Sequence, residues 1–180
     1  MGPIHRHIIA LRTLFNRLED TNITWVLVGG LNSRSQGLPM IVEDIDILTD
    51  FQEAHLLEHL FRDNMITPSA FLCSERIRSH LCSLFIDVVR VEIRGDVRIL
   101  NPDSTWGTVD DVNTRSITSD VEGMKIPGRT LEAGYYSYER MGREKSGPDS
   151  GVVRLIFTGR IGDSSSGVVA NHLKILCTLM

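Results

Sequence analysis

The sequence predicts a mixed α/β fold (α+β) in which a β-sheet is flanked by helices. Short apolar, β-branched runs alternate along the chain with segments whose apolar residues recur every three or four positions. Strands interleaved with helices in this way pack as a mixed sheet with helices against it. The 180 residues, 42% hydrophobic and 23% charged, suit one soluble globular domain.

Residues 4–49 are predicted to form two helices and two strands, and a further helix follows. We expect an amphipathic helix over residues 4–19, strands over 23–28 and 43–49, and a short helix over 31–36 between them. Asp50, followed by Glu53, is typical of a helix N-terminus. That second long helix is expected to reach about residue 64, and its predicted buried face comprises Leu56, Leu57, Leu60 and Phe61.

The later elements are less regular. The pattern predicts a helical turn over 75–82, a strand over 83–91 and a hairpin strand over 92–100. Residues 101–121 are polar and rich in turn formers. Thr130 is a candidate cap for a final helix that ends near Gly142. We assign residues 1–145 to the core domain and 146–180 to a C-terminal tail, because the pieces SGPDSG and GDSSSG lie there.

A glycine pair follows the first predicted strand. Gly29 and Gly30 can adopt positive φ and let a ligand approach the backbone. Asn32, Ser33 and Arg34 follow where a short helix begins, and free N–H groups at such a start attract phosphate. Taken alone, a glycine pair after a strand is more often just a tight turn.

Two acidic residues then mark the next strand. Residues two apart on a strand share a face, so Asp44 and Asp46 project together while Ile45 and Ile47 face the core. Adjacent like charges repel unless a partner lies between them. A divalent cation such as Mg²⁺ is one such partner, and a solvent-facing edge strand is the alternative.

A third carboxylate is predicted in the stretch SLFIDVVRV. Asp87 interrupts this apolar run, and a carboxylate in a buried strand is costly unless it binds a metal or pairs with a cation. We favour a metal site formed with Asp44 and Asp46, with an ion pair to Arg90 as the alternative. Glu92 and Asp96 are rivals, but the segment VEIRGDVRI has the pattern of an exposed hairpin.

Together these residues resemble the polymerase-beta-type nucleotidyltransferase superfamily. Gly29 and Gly30 match its glycine motif, Asp44 and Asp46 match its paired acids, and Asp87 matches its third acid. The segment IPGRTLEAGYYSYERMGREK is similar to the helix that closes small members. The resemblance spans roughly residues 5–145 and is nearest to small stand-alone prokaryotic transferases, including those of toxin–antitoxin pairs.

The resemblance implies a nucleotidyltransferase fold and a metal-dependent transfer of a nucleoside monophosphate from an NTP to an acceptor hydroxyl. In that case Asp44, Asp46 and Asp87 hold two Mg²⁺ ions, for which Mn²⁺ is a possible substitute. Asp87 is also the implied general base. Gly29, Gly30, Ser33 and Arg34 are the implied phosphate-binding residues. Gly30 stands where many active members have Ser.

The sequence does not decide which acceptor or partner the protein binds. The acceptor is a protein, an RNA end or a small molecule, and a protein partner or homo-oligomer is possible. The alternative function is a catalytically weak or inactive domain that acts through protein interactions. Arginines cluster in one region and suit either phosphate binding or a salt-bridged surface, the reading we favour; they are Arg76, Arg78, Arg90, Arg94 and Arg98.

The remaining features indicate a cytoplasmic protein. No apolar run has the length of a membrane span. The three cysteines show no metal-binding spacing and are expected to be reduced. The net charge of −4 gives no overall attraction to nucleic acid. The His5-Arg6-His7 segment is expected on the polar face of the first helix.

Overall fold

The computed structural model describes residues 4–141, which form a seven-stranded mixed sheet with helices packed against it. The strand order is β3-β4-β5-β2-β1-β7-β6. The strands are β1 (Val26–Val28), β2 (Ile45–Thr49), β3 (Met65–Cys73), β4 (Ile77–Ile86), β5 (Val89–Ile99), β6 (Ser116–Val121) and β7 (Met124–Arg129). The helices are α1 (His5–Leu18), α2 (Gly29–Ser35), α3 (Phe51–Leu60) and α4 (Leu131–Arg140), and a 3₁₀ turn spans Arg62–Asn64.

The centre of the sheet combines parallel and antiparallel pairs. Strand β2 pairs antiparallel with β1 on one side and parallel with β5 on the other. Strand β1 also pairs parallel with β7, while β3–β4, β4–β5 and β6–β7 are antiparallel. The mixed sheet flanked by helices is the predicted fold class, and the prediction is confirmed.

Helices α1 and α3 bury one face of the sheet. Leu11 and Leu14 of α1 and Leu57 of α3 are fully buried in the same core cluster as Ile45 and Ile47 of β2. This packing explains why Asp46, between those two isoleucines, projects from the opposite face. A second buried cluster comprises Val26, Leu48, Val97, Ile99 and Val112, with Val28 and Met141 packed against it.

A bulge in β5 reverses which residues face each side. The register with β4 shifts between Arg78 and His80, and Asp96 adopts a φ of 52°. Before the bulge Ile93 packs in the first cluster, whereas after it Ile99 packs in the second. The Asp96 carboxylate also accepts a hydrogen bond from the Phe51 amide at 3.0 Å, at the start of α3.

The prediction for α3 holds at its start and fails along its length. The Asp50 side chain accepts a hydrogen bond from the Glu53 amide at 2.8 Å, so the predicted N-cap is confirmed. The α-helix ends at Leu60, short of residue 64. Only one stripe of the helix faces the sheet, so Leu57 is buried as predicted while Leu56, 54% exposed, lies beside that stripe. Leu60 is likewise exposed, and Phe61 is fully buried.

The predictions for residues 65–100 need three corrections. Residues 75–82 are not helical, because β4 begins at Ile77. The strand over 83–91 is broken by a turn at Asp87-Val88, whose φ angles are 46° and 62°. No hairpin lies at Arg94-Gly95, because β5 runs through both residues and pairs on both sides.

Five further strands differ from the prediction, in their existence or in one end. Strand β3, β6 and β7 were not predicted as strands, and β1 is shorter than 23–28. Strand β2 begins at Ile45, so Asp44 lies just before it. The cap of α4 is confirmed, because the Thr130 hydroxyl accepts from the Ala133 amide at 3.3 Å. Gly142 and the tail 146–180 lie outside the described residues.

No helix within residues 4–141 has the length and apolar character needed to cross a membrane. The described cysteines, Cys73 and Cys82, are both free thiols.

Candidate active site

The glycine turn and two carboxylates form a row across three adjacent strands. Val28, the last residue of β1, lies opposite Asp46 of β2. Asp46 in turn lies opposite Glu92 of β5. Gly29 follows Val28 directly and begins α2. Because directly opposed residues point to the same face of a sheet, the row runs from Gly29 through Asp46 to Glu92.

Both glycines of the turn are sites of close approach. Gly29 has a φ of 73°, and a Cβ there would lie 2.0 Å from the Asp46 Oδ2 atom. A Cβ on Gly30 would lie 3.0 Å from the Ile41 carbonyl oxygen. Glycine at position 29 therefore lets the Asp46 carboxylate lie directly against the turn between β1 and α2.

Asp44 lies just before β2, and its carboxylate adds a negative charge beside this row. Burial raises the pKa of the Asp44 carboxyl, and the negative charges of Glu92 and Glu43 raise it further, while Arg90 opposes the shift. The Asp44 carboxylate therefore lies close enough to Glu92 for the negative charge of Glu92 to act on it. Asp44 therefore has Glu92 and Glu43 as acidic neighbours, while its predicted role in a metal site with Asp46 stays a prediction.

Glu92 is a largely buried carboxylate held by two arginines. Its side chain is 14% exposed, and Arg90 Nη2 lies 2.9 Å from its Oε1 atom. Arg94 Nη2 donates to the other oxygen, Oε2, at 2.8 Å. Both oxygens of Glu92 therefore have a guanidinium partner, and the cost of burying the charge is offset by these ion pairs.

The structure does not bring Asp87 to this site. Asp87 is exposed in the β4–β5 turn, and its carboxylate accepts a hydrogen bond from the Thr13 hydroxyl of α1 at 2.6 Å. Arg90, the alternative partner, pairs with Glu92 instead. The prediction of a carboxylate within a buried strand is wrong for Asp87, and Glu92 is the residue that it describes. The sequence misleads here because the apolar run continues through the turn without a break.

A signal for Glu92 exists in the sequence. It stands between Val91 and Ile93, both fully buried, so the period-two pattern of β5 places Glu92 on the face opposite the core. Asp87, in contrast, precedes Val88 at the point where the chain reverses. Aspartate is one of the few residues that readily adopt positive φ, which fits the turn at this position.

Ser33 and Arg34 are bound to the backbone near the glycine turn. The Ser33 hydroxyl donates to the Gly29 carbonyl at 3.0 Å, one helical turn back. Arg34 Nη1 donates to the Met40 carbonyl at 3.0 Å and so supports the loop that leads to β2. Neither contact is with the carboxylates, so their predicted role at a phosphate stays a prediction.

Helix α2 is fixed to β7 by a buried amide that the sequence did not reveal. Asn32 is almost fully buried, and its Nδ2 donates to the Arg129 carbonyl at 2.8 Å. A Cβ on Gly128 would lie 2.2 Å from the Asn32 Oδ1 atom, so only glycine fits there. Gln36 donates to the same Arg129 carbonyl at 2.7 Å. These contacts set the position of the glycine turn at the other end of α2.

Arg129 itself ties the loop after β5 to the sheet. Its buried guanidinium pairs with the Asp110 carboxylate and donates to the carbonyls of Asp111 and Thr114 at 3.0 and 2.9 Å. A buried charge of this kind requires such partners. The loop from residue 101 to 115 is therefore held beside the face of the sheet that carries the site.

His7 supports the segment that enters the carboxylate strand. The prediction of a polar helix face is wrong for His7, which is fully buried. Its Nε2 lies 3.1 Å from the carbonyl oxygen of Glu43, the residue before Asp44. His5 and Arg6 are exposed as predicted.

The three carboxylates fit a divalent cation by their chemistry. Hard carboxylate oxygens are the donors that Mg²⁺ takes in proteins. Bringing a cation to Asp44 would relieve the repulsion that raises its pKa. Within residues 4–141 no three His, Cys, Asp or Glu side chains are already arranged around a point that would hold an ion. Glu92 is instead turned to its two arginines.

Comparisons with known proteins agree with this geometry. Residues 10–151 match the family described as aminoglycoside-2''-adenylyltransferase. A crystal structure of a proposed nucleotidyltransferase from Thermotoga maritima is 34% identical to this chain, covers 85% of it and 93% of its own length, and gives a TM-score of 0.73. A search of curated protein sequences found no match.

A more distant likeness shows the fold alone. The crystal structure of ANT(2'')-Ia, solved in complex with adenylyl-2''-tobramycin, is 12% identical and gives a TM-score of 0.56. It covers 87% of this chain and 91% of its own length. The predicted nucleotidyltransferase fold is confirmed by the Thermotoga maritima structure. The likeness to toxin–antitoxin members stays a prediction.

Proposed function

The chain belongs to the aminoglycoside-2''-adenylyltransferase family, and we propose that it transfers a nucleoside monophosphate from an NTP to an acceptor hydroxyl. AMP is the nucleotide that we propose first. The observation that carries this proposal is the row of Gly29, Asp46 and Glu92 on adjacent strands. It sets a glycine turn suited to phosphate beside carboxylates suited to Mg²⁺. The acceptor is a protein, an RNA end or a small molecule.

The proposed roles follow the position of each residue in the row. Asp44, Asp46 and Glu92 would hold two Mg²⁺ ions, or Mn²⁺ in their place, and Glu92 replaces Asp87 in this set. When bound, these ions neutralise phosphate charge and orient the reacting groups. Gly29 and Gly30 would cradle the triphosphate, with Ser33 and Arg34 beside them.

The proposed reaction is an in-line displacement at the α-phosphorus. The acceptor oxygen forms a bond to that phosphorus while the bond to the bridging oxygen of pyrophosphate breaks. Glu92 takes the proton of the acceptor hydroxyl and passes it to solvent. Pyrophosphate leaves with the electron pair of the broken bond. The protein's contribution is positioning and charge complementarity.

The choice between Glu92 and Asp87 gives a direct test. We expect Glu92→Gln to lower the rate of pyrophosphate release from ATP by about 10²–10⁴-fold, the usual contribution of a general base. Asp87→Asn, in an exposed turn, should leave the rate unchanged within about twofold. Pyrophosphate release with candidate acceptors measures both, and circular dichroism verifies that each variant folds.

The reverse outcome would reject this assignment. If Asp87→Asn abolished pyrophosphate release while Glu92→Gln retained it, the third acid would be Asp87. Retention of activity in a doubly substituted Asp44→Ala/Asp46→Ala protein would instead remove the enzyme proposal. A role in protein interaction would then be the remaining hypothesis.

A further inference from the structure

The two arginines beside the third carboxylate hold it in different ways. Arg94 Nη2 donates a hydrogen bond to the Glu92 Oε2 atom at 2.8 Å, so this contact has a preferred direction as well as a charge. Arg90 Nη2 lies 2.9 Å from the Oε1 atom as an ion pair, and it donates to the Ser83 hydroxyl at 3.4 Å. The contact from Arg94 is therefore the one that constrains the orientation of the Glu92 carboxylate.

Arg94 is also the more enclosed of the two arginines. Its side chain is 30% exposed, whereas that of Arg90 is 52% exposed. The residues opposite Arg94 on the neighbouring strands are Leu48, which is buried, and Leu81. Directly opposed residues share a face of the sheet, so these two leucines flank the aliphatic part of the Arg94 side chain. Its guanidinium group is thus held in place beside Glu92.

The two arginines do not neutralise the carboxylates of the site. Asp46 lies directly opposite Glu92, and the negative charges of Glu92 and Glu43 both act on Asp44. Two guanidinium groups beside these four carboxylates leave an excess of negative charge, which favours cations. Arg90 acts on this group of acids by its charge, since it opposes the rise in the pKa of Asp44.

We propose that Arg94 is a positioning residue, which holds the Glu92 carboxylate in the orientation that the cations and the acceptor hydroxyl require. The inference rests on the proposed function of the same site. A carboxylate ligand is oriented by the residues that hydrogen-bond to it, and loss of such a partner usually weakens metal binding by about 10–100-fold. Arg90 contributes charge and does not set the orientation.

A positioning role and a charge effect predict opposite changes in metal affinity. Replacing an arginine by glutamine removes a positive charge near the carboxylates, so by charge alone a cation should bind more tightly. Loss of orientation at Glu92 should instead make the cation bind more weakly. We expect weaker binding for Arg94→Gln, and equal or tighter binding for Arg90→Gln.

The first experiment measures Mn²⁺ binding to the full chain by electron paramagnetic resonance, with α,β-methylene-ATP present in excess. Arg94→Gln should weaken Mn²⁺ binding by about 10–100-fold. Arg94→Lys should recover part of that loss, because an ammonium group keeps the charge and can still donate a hydrogen bond. Circular dichroism verifies that each variant folds.

Arg98→Gln is the matched control for the loss of an arginine from β5. Arg98 is exposed and stands between Val97 and Ile99, which pack in the second buried cluster, so its side chain projects from the opposite face of the sheet. Because an exposed charge on the far face is screened by salt, we expect its Mn²⁺ affinity to match the wild type within about twofold.

A double-mutant cycle tests whether Arg94 acts through Glu92. Glu92→Gln alone should weaken Mn²⁺ binding by about tenfold or more. In the Glu92→Gln background, Arg94→Gln should change the Mn²⁺ affinity by less than about twofold, because the carboxylate that Arg94 orients is gone. The double variant leaves no buried carboxylate without its partner, so it keeps the test decisive where Arg94→Gln alone lowers stability.

Three results would overturn the inference while leaving the metal site intact. They are unchanged or tighter Mn²⁺ binding by Arg94→Gln, an equal loss in Arg90→Gln or Arg98→Gln, and the same loss from Arg94→Gln with and without the Glu92 carboxylate. Failure of the proposed function gives a different pattern. Wild-type Mn²⁺ affinity in Glu92→Gln, or no Mn²⁺ binding by the wild type, would remove Glu92 from a metal site and the inference with it.

Discussion

At the scale of single residues, the contact between Gly29 and Asp46 is what makes the glycine turn part of the site. A carboxylate oxygen occupies the space where any other residue at position 29 would have its Cβ. The backbone there is left-handed, with a φ of 73°. Two independent demands, conformation and space, therefore converge on glycine.

We predict that Gly29→Ala lowers the affinity for Mg²⁺-ATP by about tenfold or more, because the new methyl group displaces the Asp46 carboxylate. The strained φ should also cost about 1–2 kcal/mol of unfolding free energy. Calorimetric titration and urea unfolding measure the two effects.

Gly123→Ala is the matched control for strain. Gly123 has a φ of 84°, and nothing lies within 4 Å of a Cβ built there. We expect a similar loss of stability with unchanged nucleotide affinity. If Gly29→Ala bound nucleotide as tightly as Gly123→Ala does, the contact with Asp46 would have no role in binding.

Four of the predicted site residues lie at the glycine turn and at the start of β2 in the structure, whereas Asp87 lies elsewhere, for a physical reason. Gly29, Gly30, Asp44 and Asp46 are close together in the sequence, so the local pattern alone is enough to single them out. The third acid depends on register between β2 and β5, which are far apart in sequence. A run of apolar residues does not show where the chain reverses, so the sequence pattern alone predicts a strand through Asp87.

At the scale of elements, helix α3 is held at its start by two carboxylates. Asp50 accepts from the Glu53 amide at 2.8 Å, and Asp96 accepts from the Phe51 amide at 3.0 Å. The second contact links the helix to the bulge in β5. Helix termini leave such amides without intrahelical partners, so each contact stabilises the junction between helix and sheet.

We predict that Asp50→Ala lowers the free energy of unfolding by about 0.5–2 kcal/mol, the usual loss for an N-cap. Asp50→Asn keeps an acceptor oxygen and should lose only a small part of that. Urea unfolding of both variants measures the difference. An equal loss in both would show that the charge of Asp50, and not its hydrogen bond, stabilises α3.

The sequence pattern predicts the bounds of elements that bury one regular apolar face. It does not reveal strands that are exposed or short. Helix α1 was predicted within one residue at each end because its buried stripe is regular. Strand β3 is an edge strand with most residues exposed, so it has no buried face to produce a pattern. Strands β6 and β7 form a six-residue hairpin pair in a polar region. Such strands are specified by pairing with distant partners.

At the scale of the whole molecule, the site depends on the order of strands. Gly29, Asp46 and Glu92 become neighbours only because β2 lies between β1 and β5. The contacts of Asn32 and Arg129 then fix α2 and the loop after β5 around them. Fold class follows from the alternation of helix and strand patterns, but strand order is a long-range property that local patterns do not encode.

Our central inference about the molecule is that the carboxylates beside the glycine turn form a metal-dependent triphosphate site. The most direct test is calorimetric titration of ATP, CTP, GTP and UTP, each with and without Mg²⁺, into the wild type, Asp46→Asn and Asp87→Asn. We predict Mg²⁺-dependent binding of at least one nucleotide to the wild type and to Asp87→Asn, and loss of that binding in a folded Asp46→Asn. Equal binding by Asp46→Asn, or no binding by the wild type, would contradict it.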